Sequence, residues 1–271
     1  MQSKLINFSE KYPDITLTAF IHEDASEPLA TVIVCPGGGY SMVCADYEGT
    51  DVAENYYKAG FNAFVLDYYT GEKIKALEPT IQVALAVKYV REHSKELHAD
   101  PEKILTCGFS AGGHLAGSAG ILWNIPEVKA ALGDAPEGIN RPNGMILCYP
   151  VVTAGGFAHR GSFANLSGNE DYGEYEINKF SLEKNVDSTT PPAFIWHTVT
   201  DQIVPVNNSL LLVNAYLENN RPFEAHIYPK GPHGMGLCTA ESPKQYPEAN
   251  DPHVATWHAL SVMWINDTFN K

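Results

Sequence analysis

With 271 residues the chain has room for one large α/β domain or two small ones, with a sizeable core either way. Apolar residues make up 44% and charged residues 18%, a balance that excludes a disordered chain. A formal net charge of −14 argues against nucleic acid or an anionic membrane surface as a partner. In chain order, residues 15–21 alternate apolar and polar and read as an edge strand. Ala30 to Cys35 is a continuous β-branched run, the mark of a strand buried on both faces of a parallel sheet. It runs straight into Pro36-Gly37-Gly38-Gly39-Tyr40, where three glycines leave backbone N–H groups bare and open to close approach. Asp46 to Ala59 has helical spacing and stops at Gly60, and Phe61 to Tyr69 is the next strand. Pro79 to Arg91 is an apolar helix with proline in its first turn. Asp100-Pro101 reads as a turn ahead of the apolar run Ile104 to Cys107. A short helix over Pro126 to Leu132 and a strand over Met145 to Tyr149 follow.

Residues 153–190 break this rhythm with aromatic and polar residues at no regular spacing, which predicts a cap or lid insertion. Beyond them come a strand (Ala193 to His197), a helix (Val206 to Leu217), a last strand (Phe223 to Tyr228) and an amphipathic helix (Val254 to Phe269). Strands alternating with helices predict a mostly parallel central sheet covered on both faces, in a single domain spanning residues 1–271. No run of about 18 apolar residues occurs, so no transmembrane helix is expected. The opening ten residues lack an apolar signal core, which points to the cytoplasm. The five cysteines, Cys35, Cys44, Cys107, Cys148 and Cys238, show neither a C-x-x-C pair nor a metal spacing. They read as buried, reduced thiols.

The stretch from Lys103 to Leu115 organises the rest. An apolar strand enters Gly108-Phe109-Ser110-Ala111-Gly112, and a helical pattern leaves it. Strand, tight G-x-S-x-G turn and helix together are the setting of a nucleophile elbow. A helix that starts at the serine turns its N–H groups and positive dipole end toward any negative charge developing there. The Gly37–Gly39 run alone would pass for a flexible turn; beside such an elbow the functional reading is the better one.

A serine hydroxyl needs a base, histidine by its pKa, and a carboxylate to fix that histidine's tautomer. In an open parallel sheet these groups come from the carboxyl ends of strands. Asp201 follows the strand ending at His197, and His233 follows the last strand, so Ser110, Asp201 and His233 stand in the order of an α/β-hydrolase triad. Among the competitors, His114 sits one turn past Ser110 and suits a packing or supporting role. His197 and His226 lie inside strands, and Asp171 and Asp187 belong to the insertion.

Over nearly its full length the chain resembles α/β-hydrolase-fold serine esterases, and within them it is most similar to the acetyl xylan esterase and sugar-esterase group. The residues that carry the resemblance are Pro36 to Tyr40, Gly108 to Ala116, Arg141 to Gly144 with Cys148 to Pro150, and Pro191 to Gly236. The lipase-type loop usually reads H-G-G-G; proline stands here in place of the histidine, which bears on the loop's bracing and not on its backbone donors. The resemblance implies acyl transfer in two halves through an acyl-enzyme on Ser110. The oxyanion would be held by N–H groups of Gly38, Gly39 and Ala111, with no metal or organic cofactor needed. A peptidase or amidase of the prolyl-oligopeptidase type and a non-catalytic binding protein are the rival readings of the same scaffold. Phe157, Phe163, Tyr172 and Tyr175 alternate with hydrogen-bonding residues in the insertion, a mixture that suits a sugar ring. Tyr40 beside the oxyanion glycines would shorten the acyl pocket, favouring acetyl over long acyl chains. The expected partner is therefore a small-molecule or oligosaccharide ester, and a homo-oligomer stays open.

Overall fold

The computed structural model describes residues 3–75, 77–239 and 247–269. The β-branched runs form the middle of an eight-stranded sheet among these residues, in the order β1-β2-β4-β3-β5-β6-β7-β8. Its members are β1 Lys4–Asn7, β2 Thr16–Phe20, β3 Leu29–Cys35, β4 Asn62–Leu66, β5 Ala99–Phe109, β6 Gly144–Cys148, β7 Ala193–Thr198 and β8 Phe223–Tyr228. From β4 to β8 all neighbours are parallel, and β1 and β2 add an antiparallel flank. The segment expected as an edge strand, β2, is therefore interior. The edge is β1, a four-residue strand with one buried side chain and no pattern to announce it.

Alternation along β3 shows how the two cores arise. Ile33 and Cys35 point into one cluster, Val32 and Val34 into the other. The first core is closed by α2 (Glu78–Glu92), α3 (Ala111–Ile121) and α7 (Asn207–Glu218), through residues such as Val83, Leu115 and Leu212. The second is closed by α1 (Asp51–Lys58) and α8 (Thr256–Phe269), through Val52, Tyr56, Trp257 and Ile265. A sheet with helices on both faces is the observed architecture. Asp100 and Pro101, expected as a turn, belong to β5, whose pairing with β3 shifts register between Leu29 and Thr31.

The 153–190 stretch, expected to lack regular structure, carries two short helices, α5 (Arg160–Ser167) and α6 (Glu174–Phe180); α4 (Pro126–Leu132) precedes them. Phe163, Leu166, Tyr172 and Phe180 anchor this cap in the first core. Phe163 and Tyr172 are thus unavailable as sugar platforms, whereas Phe157 and Tyr175 are 46% and 68% exposed. All five cysteines are unpaired; Cys44 is partly exposed and the other four are buried. No helix of the described residues is long and apolar enough to cross a membrane.

Candidate active site

Ser110 stands where β5 ends and α3 begins, with φ 55° and ψ −121°, a region that side chains rarely occupy. The turn is affordable because its neighbours are glycines that let three backbones meet. A Cβ on Gly108 would run into the carbonyl of Gly112, and one on Gly112 into the carbonyls of Cys35 and Pro36. The first turn of α3 therefore lies directly against the end of β3. Hydrogen bonds from Ser110 N to the Cys148 carbonyl (3.1 Å) and from Val151 N to the Ser110 carbonyl (2.9 Å) pin the elbow to the end of β6.

Asp201 sits in the loop after β7. Its Oδ1 accepts the N–H groups of Ile203 and Val204, both at 2.9 Å, which orients Oδ2 toward His233. His233 comes from the loop after β8. Its Nδ1 donates to Asp201 Oδ2 at 2.6 Å, and its Nε2 stands 2.8 Å from Ser110 Oγ. Since a carboxylate can only accept, Nδ1 carries the proton and Nε2 is left to accept from the serine hydroxyl. The three residues anticipated as a triad are thus brought into one hydrogen-bonded row, drawn from the ends of three strands.

His197, expected in the core, is wholly buried, but it also touches the acid. Its Nδ1 meets Ser209 Oγ at 2.8 Å, and its Nε2 faces both the Val204 carbonyl (2.9 Å) and Asp201 Oδ2 (3.3 Å). Burial opposes ionisation of Asp201, yet hydrogen bonds from His197 and His233 outweigh it and hold the carboxyl far below the ordinary range. Asp201 is therefore ionised at neutral pH.

The glycine loop after β3 runs through positive φ at Gly38 (127°), Gly39 (64°) and Tyr40 (58°). This turn sends the Tyr40 ring inward. Tyr40 is fully buried, and its hydroxyl meets His114 Nδ1 at 2.8 Å, so it supports the loop from behind and does not wall a pocket as expected. His114 donates from Nε2 to the Phe180 carbonyl at 2.8 Å, joining the loop, α3 and the cap. Burial lowers the His114 pKa from 6.5 to about 4, so this histidine is neutral.

Bracing, which the proline at position 36 left open, comes from three sides. Glu48 Oε2 accepts the Gly37 N–H at 2.9 Å while Oε1 accepts the Tyr149 hydroxyl at 2.7 Å. Tyr68 donates to the Pro36 carbonyl (2.6 Å), and Asn165 of the cap donates to the Gly39 carbonyl (2.8 Å). The N–H groups of Gly38, Gly39 and Ala111 take part in no described hydrogen bond among the described residues, so they remain available as donors. Glu48 is buried, which raises its pKa against the opposing pull of Tyr149, His233 and the Gly37 N–H. The Tyr149 ring packs edge-on against the His233 imidazole at 5.0 Å, and its hydroxyl also accepts the Gly236 N–H.

The structure does not bring the other candidates to the serine. His226 pairs with Glu224 at 2.7 Å, and Asp187 closes its own turn onto Thr189. Asp171 lies on an exposed turn of the cap. Glu48, Tyr149 and the contact between His197 and Asp201 were not anticipated. Glu48 lies 101 residues from Tyr149 in sequence, and nothing local marks it.

Residues 17–143 match the BD-FAE family, and residues 157–249 match the prolyl oligopeptidase family. Endo-1,4-beta-xylanase B of Butyrivibrio fibrisolvens is 37% identical over 89% of this chain and 38% of its own length. Acetylxylan esterase of Xylanibacter ruminicola is 30% identical over 82% of this chain and 44% of its own length. The chain thus spans about two fifths of the curated relatives it matches. The crystal structure of an acetyl ester-xyloside bifunctional hydrolase from Caldicellulosiruptor lactoaceticus superposes with a TM-score of 0.84 at 34% identity, covering 97% of this chain and 96% of that one.

Proposed function

The chain belongs to the acetyl xylan esterase group of α/β-hydrolase esterases, and from that premise we propose that it removes short acyl groups, chiefly acetyl, from sugars or oligosaccharides. The observation that carries the reading is the row Ser110 Oγ–His233 Nε2 (2.8 Å) and His233 Nδ1–Asp201 Oδ2 (2.6 Å) beside unspent backbone donors. Ser110 attacks the ester carbonyl as His233 takes its proton, and Asp201 stabilises the imidazolium that forms. The oxyanion settles on N–H groups of Gly38, Gly39 and Ala111, worth about 3–4 kcal/mol for one such donor in comparable sites. His233 then protonates the leaving alkoxide oxygen, and the free alcohol departs. Water, deprotonated by the same imidazole, attacks the acyl-enzyme; the bond from Ser110 Oγ to the acyl carbon breaks, the imidazolium returns the proton to Oγ, and the carboxylic acid leaves. No step calls on a metal or an organic cofactor.

The acetyl and sugar parts of the reading draw support from the relatives, which are named for acetylxylan and for acetyl ester and xyloside hydrolysis. Five unpaired thiols suit a reducing compartment, the cytoplasm, as the place of reaction. A peptidase reading draws on the prolyl oligopeptidase match over residues 157–249, which spans only the acid and histidine half of the site. A panel of acetyl, butyryl and octanoyl nitrophenyl esters, acetylated xylo-oligosaccharides and a prolyl nitroanilide tests the proposal. The expected order of kcat/KM puts acetyl esters first. Faster turnover of the octanoyl ester or of the anilide would overturn it.

A further inference from the structure

His159, the residue just ahead of α5, has no part in the reaction steps above, yet it stands among the reacting groups. Its Cε1 lies 4.0 Å from where a Cβ on Gly39 would be, and Ser162 Oγ lies 3.9 Å from the same point. The cap is fastened here by Asn165, which donates to the Gly39 carbonyl. The His159 imidazole is partly exposed, and its Nδ1 is held by Ser162 Oγ at 2.8 Å. Ser162 is itself fully buried, and its hydroxyl has no other described acceptor, so it donates to Nδ1 and leaves the ring hydrogen on Nε2. That Nε2–H has no hydrogen-bond partner among the described residues. Burial first, then repulsion from His233, lowers the His159 pKa against the pull of Asp201, which favours the neutral ring at neutral pH. Two residues earlier, Phe157 leaves its ring 46% exposed, an apolar surface of the kind a sugar face stacks on.

We propose that His159 is a specificity-determining contact for the alcohol side of the substrate, donating from Nε2 to a hydroxyl or ring oxygen next to the scissile ester of an acetylated sugar. The proposal rests on the sugar-ester reading given above. It assigns to the cap a discrimination between sugar and simple alcohols that the triad itself does not supply.

The test compares kcat/KM on an acetylated methyl xyloside with kcat/KM on 4-nitrophenyl acetate, which has no oxygen at the equivalent place. His159→Asn keeps an acceptor for Ser162 but has nothing at the Nε2 position; His159→Gln places an amide nitrogen there. The xyloside-to-nitrophenyl ratio is expected to fall about three- to tenfold in His159→Asn, the range of one neutral hydrogen bond, with the loss in KM. His159→Gln should restore most of it. An unchanged ratio in His159→Asn, or equal losses in both variants, overturns the contact. Wild-type protein that cleaves the nitrophenyl ester and leaves the xyloside intact overturns the sugar-ester reading and the contact together. Wild type active on both, with the ratio unmoved by either substitution, overturns the contact alone.

Discussion

Glu48→Ala should damage both stability and turnover, although Glu48 touches neither Ser110 nor His233 by hydrogen bond. Its carboxylate is the acceptor for two buried donors, the Gly37 N–H at 2.9 Å and the Tyr149 hydroxyl at 2.7 Å. Truncation leaves both without a partner. A stranded buried donor costs about 1–3 kcal/mol, so the pair amounts to about 2–6 kcal/mol of stability. For a chain of this length that lowers Tm by roughly 4–12 °C. The second consequence is catalytic. Gly37 is the root of the loop whose next two N–H groups are the proposed oxyanion donors, and displacing one such donor costs about 10²–10³ in kcat. Glu48→Gln, which retains one acceptor oxygen, should fall between wild type and alanine on both measures. Urea denaturation followed by tryptophan fluorescence, and steady-state kinetics on 4-nitrophenyl acetate, read the two effects separately. Alanine protein whose stability lies within about 0.5 kcal/mol of wild type and whose kcat is within about threefold would refute the reasoning. It would mean that the loop is held by Tyr68 and Asn165 without help.

Asp201→Asn should lower kcat by about 10³–10⁴-fold with KM little changed, because an amide nitrogen facing His233 Nδ1 reverses the tautomer that the serine needs. Activity near wild type would move the acid role elsewhere. Stability should fall on acidification between pH 6.5 and about 4, the interval between the ordinary histidine value and that of buried, neutral His114. Below 6.5 the unfolded chain takes up a proton that the folded chain refuses until about 4, so unfolding gains about 3 kcal/mol across the window from this residue alone. His258, likewise lowered to about 4 by burial, acts in the same direction. Denaturation midpoints at pH 7 and pH 4.5 check this, and His114→Gln should flatten the difference in part; an equal difference in both proteins would contradict it.

What the sequence made legible follows from burial. Strands covered on both faces are apolar at most positions, and β3, β6, β7 and the buried Ile104 to Phe109 half of β5 announce themselves that way, whereas the polar start of β5 reads as a turn. The elbow was legible because its glycines are required by backbone contacts that no other residue survives. The four residues of β1 carry no such signature, since three of their side chains face solvent. The cap helices are eight and seven residues long, too short to be stable on propensity, and Phe163 and Phe180 hold them by tertiary packing. Adjacency to Gly39 says nothing of rotation, and at Tyr40 a φ of 58° turns the ring away from the site into the core. Glu48 was invisible for a related reason. A carboxylate in a polar stretch reads as solvated until the fold brings Tyr149, 101 residues away, against it.

The central claim is that Ser110 becomes acylated while His233 holds its proton. Intact-protein mass spectrometry after exposure to a nitrophenyl phosphonate, followed by peptide mapping, tests it most directly. A single adduct on the peptide containing Ser110 is expected, absent in Ser110→Ala and much slower to form in His233→Ala, with ester hydrolysis lost in step. An adduct on any other residue, or Ser110→Ala protein that keeps hydrolysing acetyl esters at more than a few per cent of the wild-type rate, would contradict it.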